Sequence, residues 1–240
     1  MKIRVIDTRR RNAYLNMGID EVLMRNCTSP VLRFFAWKPA AISIGYFQGL
    51  DEEVDLGKCK ELGIDYVRRI TGGGAVFHDA ELTYSFVIPE KELPEDILES
   101  YGIICGAIIK GLQKLGINAA YAPINDIICN GKKISGNAQT RRKGIILQHG
   151  TILLDVDVDR MFSLLKVPDE KIKDKLIANV KERVAGINKA YDEVADALRQ
   201  GFKEQFSAEL TEDELSQQEL AQAEQIAKQS YSTDAWNRKR

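Results

Sequence analysis

The most informative stretch of the sequence covers residues 68–79, which read RRITGGGAVFHD. It sets two fixed cations next to three consecutive glycines, residues 72–74. Because glycine has no side chain, its backbone can approach an anion closely and point N–H groups at it. Three glycines can also form a plain turn between strands, and adjacent arginines often face solvent. The stretch therefore indicates an anion cradle or a tight turn, and its spacing fits neither a P-loop nor a dinucleotide-binding loop.

Strand-like segments flank this glycine loop, residues 71–74, on both sides. Residues 64–70 alternate between apolar and polar side chains, and residues 75–77 and 82–88 are rich in β-forming residues. Upstream, Asn12 can cap a first helix that two strand-like runs follow. The chain therefore mixes short strands with helices from its beginning.

Two parts of the chain have a clear helical pattern. Apolar residues recur at helical spacing over residues 98–115, and residues from 169 onward are mostly helical in pattern. Thr211 and Glu214 have the spacing of a capping box that opens a final helix. We expect the polar tail, residues 231–240, to be loosely held.

These patterns together predict an α+β fold. We expect a mixed, largely antiparallel β-sheet core flanked by helices, with a helical C-terminal third. We expect one domain, residues 1–240, in which residues 208–240 form a C-terminal helix and tail.

Composition excludes several classes of function. Lys and Arg number 34 against 35 Asp and Glu, so the net charge is -1 and no basic field exists to hold a nucleic acid. No uncharged run approaches the roughly 20 residues that a membrane span needs, and we expect a soluble cytoplasmic protein. The four cysteines form no CxxC pair, and only two histidines accompany them, so we expect no structural metal.

A β-hairpin is predicted around Asn130 and Gly131, the dipeptide that favours a two-residue hairpin turn. Strand alternation then places Lys133, Ser135 and Asn137 on one polar face that could line a site. A lysine beside a turn is otherwise a common surface residue, and Asp126 at the start of the hairpin could be a turn or cap residue.

Two further residues fit either a structural or a functional role. His149 lies in an apolar stretch and is either a core histidine or part of a site wall. Cys129 lies on the predicted hairpin, where an inert thiol is the usual case, and the sequence has no GxSxG nucleophile motif.

Three ordered blocks of the sequence resemble the biotin and lipoate protein ligase superfamily, and within it the lipoate-protein ligases. The blocks are residues 68–85, residues 125–139 and residues 148–151. The resemblance implies an enzyme that activates lipoate with ATP and Mg²⁺ to lipoyl-AMP. The lipoyl group would then pass to a lysine of an acceptor, either a lipoyl domain of a 2-oxoacid dehydrogenase E2 or the glycine-cleavage H protein.

The resemblance also implies residue roles. Lys133 would be the catalytic residue, contacting the acyl carbonyl and the α-phosphate. The ATP-binding residues would be Arg69, Gly74, Ala75, Val76, Phe77 and Lys133. The lipoate-binding residues would be Gly73, His78, Lys133 and His149. Asp126 would hold magnesium or orient the site.

The nearest alternative within the superfamily is octanoyl or lipoyl transfer between carrier proteins without ATP. In such transferases a cysteine lies in a longer loop before the Asn-Asp position, whereas residues 118–124 contain no cysteine. On that ground we predict the ATP-dependent ligase. Because many ligases carry a further C-terminal domain, we also predict a small accessory subunit. In a binding module, by contrast, the glycine loop would hold its ligand with no chemistry following.

Overall fold

The computed structural model describes residues 1–166 and 173–239. Its strands are β1 (Lys2–Arg11), β2 (Val31–Trp37), β3 (Ala41–Ile44), β4 (Asp65–Arg68), β5 (Val76–His78), β6 (Glu81–Pro89), β7 (Ala119–Ala122), β8 (Asp126–Cys129), β9 (Lys132–Arg142), β10 (Ile145–Leu153) and β11 (Glu209–Asp213). Its helices are α1 (Ala13–Arg25), α2 (Leu50–Glu53), α3 (Leu56–Leu62), α4 (Ile97–Lys114), α5 (Val158–Leu164), α6 (Lys173–Arg183), α7 (Tyr191–Gln205), α8 (Gln217–Ile226) and α9 (Asp234–Asn237).

Two sheets organise the described part of the chain. The larger has the strand order β11-β1-β2-β6-β10-β9-β8-β7, and the smaller has the order β4-β3-β5. In the larger sheet only the β11–β1 and β1–β2 pairs are parallel. The predicted fold class, a largely antiparallel sheet flanked by helices, is therefore confirmed.

The larger sheet is covered on both faces. Helices α4 and α7 pack together over one face, where Phe86, Ile108 and Leu198 belong to one buried apolar cluster. Helix α1 covers the other face, where Met17 and Phe35 belong to a second cluster shared with the smaller sheet. The smaller sheet thus packs beside α1, and the glycine loop that follows β4 contacts β10, where Thr71 Oγ1 lies 2.7 Å from His149 Nε2.

Several local predictions are confirmed. Asn12 caps α1, since its side chain accepts a hydrogen bond from the Leu15 N–H. Asn130 and Gly131 both have positive φ, 51° and 75°, as a type I′ hairpin turn between β8 and β9 requires.

Of the three strands that form parallel pairs in the larger sheet, the sequence patterns missed two, β1 and β11. The prediction of an opening helix was wrong, because β1 precedes α1 despite its many charged residues. The capping box predicted at Thr211 was also wrong, because Thr211 lies in β11 and pairs with Arg4. The capping box instead joins Ser216 and Glu219 at the start of α8.

The C-terminal segment is packed, so the prediction of a loosely held tail was wrong. Tyr231 and Asn237 are buried, and the Trp236 Nε1 donates to the Arg68 carbonyl at 2.8 Å. Among residues 1–166 and 173–239, no helix is both long enough and apolar enough to cross a membrane.

Candidate active site

A cavity of about 520 Å³ lies between the smaller sheet and strands β9 and β10 of the larger sheet. Apolar side chains from β5, from α5 and from the residue after α6, among them Val76, Met161 and Val184, form part of its wall. The predicted site residues that line it are Arg69, Gly73, Gly74, Ala75, Val76, Phe77, His78, Lys133 and His149. The structure therefore brings residues from both motifs to one cavity.

Arg69 is bound within the protein on every side. Its Nη1 donates to the Ser43 carbonyl and Oγ, both at 3.0 Å, and its Nη2 donates to the carbonyls of Gly72 and Gly74. The Nε donates to Thr71 Oγ1, so all five guanidinium donors have partners. Burial lowers the pKa of Arg69 to about 10. This geometry fixes the glycine loop against β3.

The glycine loop approaches β3 so closely that Gly45 has no room for a side chain. A Cβ at Gly45 would lie 1.9 Å from the Gly73 carbonyl oxygen. Gly73 itself has a φ of 94°, which glycine adopts readily. This close approach supports the interpretation of residues 72–74 as a tight turn, and the anion cradle stays a prediction.

Arg68 anchors the C-terminal segment. Its side chain donates to the carbonyls of Trp236 and Asn237 and to that of Tyr46 at the end of the smaller sheet. The neighbouring arginines of this motif therefore face protein carbonyls and not solvent.

His78 is held in a fixed orientation at the cavity wall. Its Nδ1 lies 2.6 Å from Glu81 Oε1, and its Nε2 lies 2.8 Å from Ser43 Oγ. The ring stacks on Trp37 with centroids 3.9 Å apart. Ser43 and Glu81, which are not among the predicted site residues, also line the cavity.

One signal for this group was present in the sequence. Glu81 follows His78 by three residues, a spacing that a tight turn can close. Ser43 carried no such signal, because only the antiparallel pairing of β3 with β5 brings it beside His78.

His149 belongs to a second buried network. Its Nε2 lies 2.7 Å from Thr71 Oγ1 and its Nδ1 lies 3.1 Å from Asp20 Oδ2, while Arg33 Nη1 donates to Asp20 Oδ1 at 2.7 Å. Burial lowers the pKa of His149. The hydrogen bond to the Asp20 carboxylate and the charge of that carboxylate partly offset this lowering. Burial would raise the pKa of Asp20, but the charge of Arg33 and the bond to His149 together hold it below its usual value.

Lys133 reaches the cavity beside Asp126. Its Nζ lies 2.7 Å from Asp126 Oδ1, and its side chain is 41% exposed. The contact is an ion pair whose angles fall outside those of a directed hydrogen bond. The Lys133 carbonyl accepts from the Ala185 N–H after α6, which holds the start of β9.

The prediction that Ser135 shares the face of Lys133 was wrong. Ile127 pairs with Ser135 and Ile128 pairs with Lys133, so Ile134 is an extra residue in β9. Such a bulge reverses the alternation of side chains along a strand. Ser135 and Asn137 are both buried and share one face of β9, with Asn137 Nδ2 3.4 Å from Ser135 Oγ, so neither shares the face of Lys133.

The cysteines offer no thiolate at this site. All four lie in the described part of the chain, and none lines the cavity. Burial raises the pKa of Cys105 to about 12 and of Cys59 to about 11. Among residues 1–166 and 173–239, no cluster of three or more His, Cys, Asp or Glu side chains could hold a metal ion.

The family of this chain follows from comparison with known proteins. Residues 12–211 match the family model described as the lipoyl protein ligase A/B catalytic domain. The chain belongs to this family, and it is an enzyme of the lipoate ligase and transferase group.

Its relatives include both transferases and ligases. An octanoyltransferase LipM of Brevibacillus brevis is 36% identical, and the alignment covers 99% of each chain. A bi-partite lipoate protein ligase of Thermoplasma acidophilum is 35% identical with a TM-score of 0.90, covering 98% of this chain and 95% of that chain. A lipoate-protein ligase A bound with ATP is 33% identical with a TM-score of 0.87, covering 99% and 98%.

The predicted ATP-dependent ligation of lipoate was wrong. Curated relatives that align over nearly the whole chain, including one from Bacillus subtilis, are octanoyltransferases. Both branches share the glycine and lysine motifs, so these motifs could not separate them. The missing cysteine in residues 118–124 was given too much weight, because transfer from a thioester needs no nucleophile at that particular position.

Proposed function

We propose that this chain transfers an octanoyl or lipoyl group from one carrier protein to a lysine of a lipoyl-domain acceptor, without ATP. One observation carries the proposal: the Lys133 ammonium, paired with Asp126, lies at a cavity walled by the glycine loop and apolar side chains. The octanoyltransferases aligned along almost the full chain support it.

The reaction needs stabilisation of negative charge on oxygen. When a nucleophile attacks the thioester carbonyl of the donor, the carbonyl oxygen becomes an oxyanion and the carrier thiolate then leaves. A fixed ammonium beside that oxygen stabilises the transition state more than the neutral ground state. Lys133 supplies this charge, and Asp126 orients it. Lys133 itself stays unacylated.

The cavity suits the acyl chain. Val76, Met161 and Val184 offer apolar surface, and each buried methylene contributes about 0.8 kcal/mol to binding. In this proposal Gly73, His78 and His149 contact the acyl group near its carbonyl end. The wall of residues 74–77 faces the arm of the donor carrier.

The acceptors are the lipoyl domain of a 2-oxoacid dehydrogenase E2 and the glycine-cleavage H protein. The ligase of Thermoplasma acidophilum was studied with an E2 lipoyl domain, which supports an acceptor of this kind. A small accessory subunit that docks on residues 208–240 stays a prediction. If an accessory subunit docks on residues 208–240, adding that subunit to the assay should raise the transfer rate.

The test is mass spectrometry of an apo lipoyl domain incubated with this chain and an octanoyl carrier protein, with no ATP present. We expect the acceptor lysine to gain one octanoyl group. Lys133→Ala should lower the rate at least about 100-fold, the size of effect seen when an oxyanion-stabilising donor is removed.

A matched control is available on the same hairpin. Lys132 is exposed and does not line the cavity, so Lys132→Ala should keep the wild-type rate. The proposal fails if the acceptor is modified only when free lipoate and ATP replace the octanoyl carrier. It also fails if both lysine variants transfer equally well.

A further inference from the structure

A hydroxyl, an imidazole and a carboxylate lie in line on the cavity wall. Ser43 Oγ is 2.8 Å from His78 Nε2, and His78 Nδ1 is 2.6 Å from Glu81 Oε1. All three residues line the cavity although each is more than nine-tenths buried. The order of groups is that of a nucleophile, its base and the residue that orients the base.

The partners of His78 define its tautomer. An ionised Glu81 can only accept a hydrogen bond, so the imidazole Nδ1 carries the proton. In the neutral ring Nε2 is then free to accept the Ser43 hydroxyl proton. Stacking on Trp37 and the bond from Thr83 Oγ1 to Glu81 hold this arrangement in place.

Arg69 adds a positive charge on the other side of the hydroxyl. Its Nη1 donates to Ser43 Oγ at 3.0 Å, which stabilises negative charge as the hydroxyl loses its proton. Because Arg69 also holds the glycine loop, the same guanidinium joins Ser43 to the wall of the cavity.

The other candidate nucleophiles are less well placed. Thr71 lies beside His149 and Asp20 in a similar order, but Thr71 does not line the cavity and Asp20 is already bound by Arg33. No cysteine in the described residues lines the cavity. Thr83 and Thr151 also line the cavity, but among the described hydroxyls there Ser43 is the one bonded to an imidazole.

We propose that Ser43 carries the acyl group as an ester between donor and acceptor, an inference that rests on the proposed transfer activity. First, Ser43 Oγ attacks the thioester carbonyl and His78 takes its proton; the carbon–sulfur bond breaks and the carrier thiol leaves with that proton. Second, the acceptor lysine amine attacks the ester carbonyl. An amide forms, the carbon–oxygen bond breaks, and His78 returns the proton from the amine to Ser43.

The experiment uses p-nitrophenyl octanoate, which can acylate the full chain without any carrier protein. We expect intact mass spectrometry to find one octanoyl group, and peptide mapping to place it on Ser43. Ser43→Ala should lose this adduct and lower transfer to an apo lipoyl domain about 100-fold or more. Ser43→Cys should restore an adduct, now a thioester cleaved by neutral hydroxylamine.

Ser163→Ala is the matched control. Ser163 lies on α5 with its hydroxyl bonded to the Arg160 carbonyl and does not line the cavity, so this variant should keep the adduct and the wild-type rate. Thermal unfolding of each variant shows whether it is folded. Retention of an adduct by Ser43→Cys would show that position 43 is reactive even if Ser43→Ala were destabilised.

Three results would overturn the inference. These are octanoylation of a residue other than Ser43, unchanged transfer by a folded Ser43→Ala variant, and transfer in a single turnover with no acyl-enzyme. A different result would count against the proposed function alone: the Ser43 ester forms from p-nitrophenyl octanoate and passes to the lipoyl domain, but no octanoyl carrier protein serves as donor.

Discussion

The Lys133 ammonium lies 2.7 Å from the Asp126 carboxylate across the β8–β9 hairpin. A lysine side chain that is 41% exposed would otherwise sample many rotamers, so the ion pair restricts where the charge lies. The Asn130-Gly131 turn brings the two strands together, and the bulge at Ile134 directs Lys133 towards the cavity. The hairpin therefore determines the position of the proposed catalytic charge.

The first prediction concerns this ion pair. Asp126→Asn keeps the shape of the side chain but removes its charge, so the Lys133 ammonium loses its electrostatic partner. We expect kcat for octanoyl transfer to fall about 10-fold, while the free energy of unfolding changes by less than about 1 kcal/mol, as is usual for exposed pairs. Steady-state kinetics and urea denaturation measure the two quantities.

A surface pair on α3 is the control for Asp126→Asn. Lys58 lies 2.8 Å from Glu61 and is 38% exposed, close to the exposure of Lys133, and neither residue of this pair lines the cavity. Glu61→Gln should leave kcat unchanged. An equal loss of kcat in both variants would show that the effect is not specific to Lys133.

The second prediction concerns Gly136, which lies beside Lys133 on β9. A Cβ at this position would lie 2.9 Å from both Lys133 Cε and Nζ. Because these atoms are the flexible end of a side chain, Gly136→Ala should move the ammonium at little cost in stability. We expect a loss of transfer rate of about 10-fold or more with an unchanged melting temperature. A variant with the wild-type rate would show that the ammonium need not lie there.

The third prediction concerns the crossing of β3 and the glycine loop. A methyl carbon at Gly45 would lie 1.9 Å from the Gly73 carbonyl oxygen. The nearest atoms it would meet all belong to the backbone of Gly72 and Gly73. Gly45→Ala should therefore displace the loop, lower stability by about 1–3 kcal/mol and reduce transfer. Urea denaturation and the lipoyl-domain assay would measure both effects.

Gly102→Ala is the control for Gly45→Ala. Gly102 lies in α4, where an added methyl group would meet only Tyr121 Cε1, at 4.0 Å. This change should raise stability by up to about 1 kcal/mol through helix propensity and keep the activity. If Gly45→Ala were as stable as wild type, the loop would not depend on this close approach.

Local signals explain how much of the site could be predicted from sequence. The Asn130-Gly131 dipeptide favours a hairpin turn, and consecutive glycines at residues 72–74 indicate a backbone conformation that other residues rarely adopt. The structure has positive φ at Asn130, Gly131 and Gly73. The extra residue at Ile134 left no trace in the sequence, and one inserted residue reversed the expected orientation of Ser135.

The remaining features depend on contacts between distant parts of the chain. From the sequence alone, Arg69 is predicted to be available to bind an anion. In the structure its guanidinium donates to the carbonyl oxygen and the Oγ of Ser43 in β3. Likewise, β11 is recognisable only through its pairing with β1, about two hundred residues away. Sequence periodicity reports which residues are buried, and it does not report which partner buries them.

The fourth prediction concerns the packed C-terminal segment. Trp236 donates to the Arg68 carbonyl and its ring packs at 5.4 Å from that of Tyr231, so it joins α9 to β4. Trp236→Ala should lower stability by about 3 kcal/mol, the lower end for a large aromatic side chain. Gln229→Ala on the exposed surface is the control and should change stability by less than about 0.5 kcal/mol. Equal urea midpoints would contradict the anchoring role.

The last prediction concerns the pH dependence of stability at the His149–Asp20 pair. Burial lowers the pKa of His149 in the folded chain, and the Asp20 carboxylate opposes this shift without reversing it. The unfolded chain, with an ordinary histidine pKa of about 6.5, therefore binds more protons as the pH falls below that value. Stability should consequently fall between pH 7 and pH 5. Asp20, whose folded pKa is also lowered, should add a further loss below about pH 4.

His149→Gln separates the contribution of this histidine from the general acid sensitivity of the chain. Glutamine does not titrate, so the variant should lose the part of the slope that arises between pH 7 and pH 5, at most about 1.4 kcal/mol per pH unit for one proton. The steeper loss below about pH 4, which depends on Asp20, should remain. Urea denaturation at pH 7, 6, 5 and 3.5 measures both regions. Parallel curves for wild type and variant between pH 7 and pH 5 would show that His149 takes up its proton equally well in the folded chain, contrary to its burial beside Thr71 and Asp20.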